Sequence, residues 1–251
     1  MPNSKAIVLT AFPHRPIRKY SLIGVFFVWL CYNDVIIITI MIYLIGGAPR
    51  CGKTTLAQKL AKDLKISWLA ADSLEGVVAA YLSKPDLARL FPKSVMRKKT
   101  KRSNDLMYDK YSTKEITDAY NKQSQAVWKA IRALIQASLY EGHGLIIEGY
   151  QIQPKFIAQL QKEFKEIKAV MLIKTNLESI ISGALNSTNK NDWFIGKTKN
   201  PETHNKMGLM IKMYSQMIIK ESAKYNLRVI DTGSNFKKQV SLAAKYLELT
   251  R

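Results

Sequence analysis

Gly47, Gly52, Lys53 and Thr54 are spaced as G-x-x-x-x-G-K-T within Gly47-Ala48-Pro49-Arg50-Cys51-Gly52-Lys53-Thr54. This is the spacing an anion cradle requires. Glycines let consecutive backbone N–H groups turn inward around phosphate oxygens without a Cβ in the way. A helix opening at Lys53 aims its positive N-terminal end at the same point. Lys53 then reaches the β- and γ-phosphates of a nucleotide, and the Thr54 hydroxyl serves a Mg²⁺ ion. Ala48, Pro49, Arg50, Cys51 and Thr55 complete the wall. The apolar run 41–45 before the loop and a helical pattern after it provide the strand–loop–helix context that the motif needs. The residues therefore predict binding of ATP with Mg²⁺.

The elements around this loop must bring further groups to it. Leu56, Leu60 and Leu64, with Ala57 and Ala61, make one face of the first helix. The stretch 66–71 reads as a second buried strand that delivers Asp72 at its carboxyl end, where open α/β sheets bind ligands. Two roles fit Asp72: the cap of the next helix, in a capping box with Glu75, or a carboxylate facing the substrate. Thr113 opens a long helix that ends at Gly142 and Gly144. Next comes Leu145-Ile146-Ile147-Glu148-Gly149, an apolar strand ending in a carboxylate. Beside a phosphate loop, Glu148 is placed to hold Mg²⁺ or to orient the nucleophile.

Residues 84–111 break the alternation of strands and helices. Pro85, Pro92 and the run Arg97-Lys98-Lys99-Thr100-Lys101-Arg102 mark an insertion on the acceptor side. Its cations fit either a solvated face or a site for an anionic acceptor through Arg97 and Arg102. Further on, 155–164, 177–185 and 236–249 read as helices, and 167–173 and 227–230 as strands. Asn200-Pro201 opens another helix with a cap and a proline in its first turn, and its Met207, Met210, Ile211 and Tyr214 read as core. The polar segment 186–200 reads as a lid with Lys190, Lys197 and Lys199 as charge clamps. It holds no arginine for a bidentate clamp, a part left to Arg50 or Arg132. Asn189-Lys190-Asn191-Asp192 spells the guanine-reading N-K-x-D, but no strand precedes it, so the GTPase reading is set aside. The loop carrying Gly233 and Ser234 falls near the nucleotide base.

The chain carries 39 Lys and Arg against 19 Asp and Glu, a formal charge of +20. Such an excess favours anionic partners: nucleotides, phosphorylated small molecules, nucleic acid or acidic lipid. No aromatic-interleaved basic strip accompanies it, so a nucleic-acid-directed enzyme is the lesser reading. A non-catalytic ATP-binding module is the other alternative to the leading reading, phosphoryl transfer from ATP to a small anionic acceptor. The two cysteines, Cys31 and Cys51, lack metal-ligand spacing, and Cys51 lies inside the loop, which points to a reducing, cytoplasmic setting. Nothing in the residues specifies an oligomeric state. Residues 1–40 stand apart from the remainder, 41–251. Their basic head and apolar run 22–32 fit a membrane anchor, although that run is shorter than the roughly 20 residues a spanning helix needs. They also fit a segment upstream of a start at Met41, the reading preferred here, or a peripheral helix or strand.

The phosphate loop, the Asp72 strand end, the 145–149 strand and the lid-like insertion resemble the nucleoside-monophosphate-kinase-like group of P-loop kinases. The resemblance covers roughly 41–251. Within that group, Ile146-Ile147-Glu148-Gly149 with Pro154 looks like the I-I-E-G…P pattern of 2-phosphoglycerate-kinase-like proteins. Adenylate kinases carry D-G-F-P-R at that place, and Glu148-Gly149-Tyr150-Gln151 lacks its arginine. The resemblance implies a three-layer α/β/α fold with a five-stranded parallel sheet in order 2-3-1-4-5. It also implies ATP as donor, Mg²⁺, and a small-molecule acceptor. Carried over by motif, Gly47, Gly52, Lys53, Thr54 and Thr55 cradle the triphosphate and its metal. Glu148 takes the second acidic position, and Asp72 that of the substrate-side carboxylate.

Overall fold

The computed structural model describes residues 40–187 and 192–249, and the backbone of three short strands before them. Those strands, Ile7–Val8, Phe26–Cys31 and Asp34–Thr39, form a small sheet of their own. No helix among the described residues is long and apolar enough to cross a membrane.

The main sheet has five parallel strands: β1 (Ile42–Gly47), β2 (Ser67–Ala70), β3 (Leu145–Glu148), β4 (Ile167–Ile173) and β5 (Val229–Asp231). Their spatial order is 2-3-1-4-5, the order the resemblance implied. β1 and β3 are buried along their whole length, in keeping with the apolar runs 42–45 and 145–147 of strands covered on both faces. Register places the chemistry: Glu148 pairs with Ile45 on one side and with Ala70 on the other. The end of β3 therefore lies between the phosphate loop and Asp72.

Helices α1 (Lys53–Leu64) and α12 (Phe236–Leu249) pack together against the sheet, and α8 (Pro154–Glu163), α9 (Leu177–Leu185) and α11 (Pro201–Lys224) complete the layers. β2 runs straight into α2 (Ala71–Ala80), with Ala70 in the cap position and no side-chain cap. The capping-box reading of Asp72 and Glu75 is therefore wrong. Asp72 stands in the first turn of α2, and both it and Glu75 accept from Gln151 rather than capping the helix.

The insertion is helical: α3 (Lys84–Leu90), α4 (Pro92–Lys99) and α5 (Asn104–Lys110). The long helix expected from Thr113 is two helices, α6 (Thr113–Ala126) and α7 (Trp128–Tyr140). The chain breaks at buried Val127, whose N–H turns back to Ser124 and Gln125. Apolar spacing continues through the break, so periodicity alone does not reveal it. Of the lid-like segment 186–200, residues 186–187 and 192–200 are described, with α10 (Trp193–Gly196) in the latter part. Lys190 and the N-K-x of the guanine-like tetrad lie outside the described residues.

Candidate active site

The phosphate loop closes on itself where β1 ends and α1 begins. Gly47 has φ 130° and Gly52 has φ 88°, conformations that favour glycine. Space forbids a side chain as well. A Cβ on Gly47 would fall 1.9 Å from the carbonyl oxygen of Leu172, and one on Gly52 2.6 Å from the Phe236 ring. Thr232 Oγ1 donates to the Cys51 carbonyl at 3.0 Å, tying the loop to the end of β5. The Lys53 ammonium is buried and donates to the Ala48 carbonyl at 2.7 Å.

Thr54 Oγ1 donates to Glu148 Oε1 at 2.9 Å, so the two residues expected to serve a metal already touch. Glu148 is only 5% exposed. Burial raises its proton affinity above the ordinary value of 4.5, against the opposing pull of Lys53 and the Thr54 hydrogen bond. A carboxylate that loses by burial gains from a nearby cation, so this pair suits Mg²⁺. Among the described residues no three His, Cys, Asp or Glu side chains gather to hold a metal by themselves. A Mg²⁺ ion here would be held by Thr54, Glu148 and the oxygens of the nucleotide.

A cleft of about 1160 Å³ opens over the loop. One wall carries Lys53, Thr54, Lys174 and Phe236, and the other carries Asp72, Glu75, Lys93, Arg97 and Tyr150. Asp72 is exposed to the cleft and accepts from Gln151 Nε2 at 2.7 Å. Gln151 donates equally to Glu75 Oε1, and Gln123 Nε2 reaches Glu75 Oε2 at 2.7 Å. Tyr150 donates its hydroxyl to Glu75 and accepts from Lys93. Lys93 completes an ion pair with Glu75 at 3.1 Å and lies over the Tyr150 ring, 4.3 Å from its centre. Burial, and then the charge of Glu75, push the Tyr150 phenol well above its ordinary range, so it stays a donor.

Arg50, in the loop with φ 64°, ion-pairs with Asp192, whose side chain is 2% exposed, and lies over the Phe194 ring. Beyond Asp192, the Trp193 carbonyl accepts from Asn104 Nδ2 at 2.7 Å, and Asn104 Oδ1 accepts from Arg97 at 3.2 Å. A chain of polar contacts thus joins the phosphate loop to Arg97 on α4.

Most sequence-predicted residues meet here: Pro49, Arg50, Gly52, Lys53, Thr54 and Thr55 of the loop, with Asp72, Glu148 and Arg97. Gly47, Ala48 and Cys51 shape the loop without lining the cleft, and Ala48 and Cys51 are fully buried. Arg102 does not line this cleft but a neighbouring cavity that Arg97 shares. Arg132 is no clamp; it pairs with Glu163 on the surface at 2.7 Å. Lys197 faces the neighbouring cavity, and of the Gly233–Ser234 loop Gly233 lines the cleft. Sequence reasoning missed Lys174, buried at the carboxyl end of β4, where burial lowers its proton affinity. Its position just past a strand was a usable signal. The Glu75–Lys93–Tyr150–Gln151 network had none, since its members come from three separate segments.

No family model matches the chain. It is 29% identical over 141 residues to the 2-phosphoglycerate kinase of Methanococcus vannielii, a match covering 55% of this chain and 44% of that protein. The 2-phosphoglycerate kinase of Methanocaldococcus jannaschii is 28% identical over 139 residues, covering 55% of this chain and 43% of that protein. The chain thus matches less than half the length of these curated relatives. Among solved structures, a gluconokinase from Sinorhizobium meliloti 1021 aligns with a TM-score of 0.47 and 8% identity, over 83% of this chain and 91% of that one. With its strand order, phosphate loop and acidic β3 end, the chain has the fold of P-loop kinases, and its sequence is similar to that of 2-phosphoglycerate kinases.

Proposed function

We propose that the chain is an ATP-dependent phosphotransferase that moves the γ-phosphoryl group to a hydroxyl of a small anionic acceptor. The observation that carries this reading is the cleft itself. It sets a phosphate loop with a Thr54–Glu148 pair opposite a wall that presents Asp72 together with Lys93 and Arg97. The sequence similarity to kinases supports it.

Glu148, buried and bonded to Thr54, is assigned to the metal. Asp72, exposed and steadied by Gln151, is assigned to the acceptor. Transfer forms a bond from the acceptor oxygen to the γ-phosphorus and breaks the bond to the oxygen of the departing diphosphate. Asp72 aligns the hydroxyl and takes its proton. Lys53 and Lys174 stabilise the negative charge of the transferring group and its leaving oxygen. Mg²⁺, when bound, neutralises charge on the β- and γ-phosphates. Arg97 binds the anionic part of the acceptor, while Lys93 is held by Glu75 and contributes position more than net charge.

The test is transfer of label from γ-labelled ATP to a panel of hydroxy acids and their phosphates, 2-phosphoglycerate included. Mg²⁺-dependent labelling of an anionic member that Asp72→Asn reduces at least about a hundredfold supports the assignment. ATP binding with no labelling of any member refutes it in favour of a non-catalytic module.

A further inference from the structure

A second cavity, of about 760 Å³, lies against the acceptor wall, between α3 and α4 on one side and Trp193–Lys197 on the other. Its surface combines two chemistries. Leu87, Val95 and the Trp193 indole supply apolar area, and Arg97, Lys98, Arg102 and Lys197 supply charge. Its acid, Asp192, is engaged by Arg50. Among the described residues no carboxylate lies within 4.0 Å of those cations.

A solvated basic face would need none of this concavity. Nor would it need the backbone that builds the rim. Lys101 and Arg102 both take left-handed conformations, with φ 50° and 61°, although neither is glycine. Each carries a conformational cost that an ordinary turn avoids. The turn closes through Arg102 N–H to the Arg97 carbonyl at 2.7 Å, folding Arg102 back to the cavity it shares with Arg97. Arg97, Asp192 and Trp193 also line the main cleft, so the two spaces meet at those residues.

We propose that this cavity is a second anion subsite, which takes a phosphate or carboxylate carried on an apolar or aromatic body and adjoins the acceptor position at Arg97. That the adjoining space holds the acceptor rests on the kinase reading above; the subsite itself does not require phosphoryl transfer. The cations bind the anion, and Trp193 with Leu87 and Val95 covers the body, so neither half alone binds well.

Phenyl phosphate is the probe, added to protein saturated with Mg²⁺ and a non-hydrolysable ATP analogue so that the phosphate loop is already filled. The expected result is saturable binding by calorimetry, with inorganic phosphate and phenol each about tenfold weaker or more. Tryptophan fluorescence changes on binding, and Trp193→Phe removes most of that signal. Lys98→Glu and Arg102→Glu, both at exposed positions, each weaken phenyl phosphate by about tenfold while uptake of the nucleotide analogue stays within about twofold. Absence of saturable binding, or equal binding by both charge-reversed variants, overturns the proposal. Competition between phenyl phosphate and the acceptor in the labelling assay would make the subsite the seat of the acceptor's far end. Inhibition without competition would make it the seat of a separate ligand, and either outcome upholds the site. Subsite binding with no labelling of any acceptor would sink the kinase reading alone.

Discussion

On the nucleotide wall of the cleft, position comes from backbone: Gly47 and Gly52 at positive φ, and the loop tied to β5 through Thr232. On the acceptor wall, position comes from side chains. Glu75 on α2, Lys93 on α4 and Tyr150 and Gln151 after β3 hold one another in a single hydrogen-bonded group. The first wall is specified by a few consecutive residues, and a change there should damage every reaction of the protein. The second is specified by residues far apart in sequence, and a change there should alter what is accepted more than whether transfer occurs.

The harshest test of that contrast is Gly47→Ala. Its Cβ would meet the Leu172 carbonyl at 1.9 Å in a backbone conformation that alanine resists. A destabilisation of about 2–5 kcal/mol is expected in denaturant unfolding, with nucleotide binding lost. A near-native unfolding midpoint would show that the loop is held less rigidly than its geometry implies. Next, Lys53→Ala should lower transfer by about a hundred- to a thousandfold at unchanged stability, the scale of removing one preorganised donor. Full residual activity would end the proposed mechanism.

On the other wall, Tyr150→Phe should raise the acceptor KM by about tenfold while the ATP KM moves less than about twofold, because one hydrogen bond to a charged group is lost. Equal shifts in both constants would erase the distinction between the walls. Glu148→Gln tests the electrostatics without metal. Burial raises the folded-state pKa above 4.5, so the native state binds more protons than the unfolded chain between that value and the raised one. Stability contributed by this carboxyl is therefore present below pH 4.5 and declines as pH rises through its folded pKa. In metal-free thermal melts at neutral pH the Gln variant should be the more stable, with the gap closing towards pH 4.5. The smallest effect belongs to Arg132→Ala. Its exposed pair with Glu163 should be worth about 0.5 kcal/mol or less, with activity untouched.

What could be read in advance follows the same division. β1, the loop, α1, β3 and β4 are legible because consecutive residues must satisfy one local demand, a buried strand or an anion turn. Asp72 and Glu75 mislead because their spacing matches a capping box, while β2 enters α2 directly at Ala70 and frees both side chains for other partners. The break at Val127 is hidden because the apolar positions on both sides of it continue to face the core. Arg102 was grouped with Arg97 by adjacency in sequence. The left-handed turn at 101–102 keeps the two together only at the second cavity, and Arg97 alone reaches the main cleft.

The thiol of Cys51 lies fully buried under the phosphate loop, and burial pushes its pKa up to about 11. At pH 7 only about one molecule in ten thousand would carry the reactive thiolate. Alkylation should therefore proceed only during excursions in which the loop swings away from the sheet. With Cys31 replaced by Ser, Cys51 becomes a clock for those excursions, and a maleimide reaction that slows as Mg²⁺–ATP is added would time them.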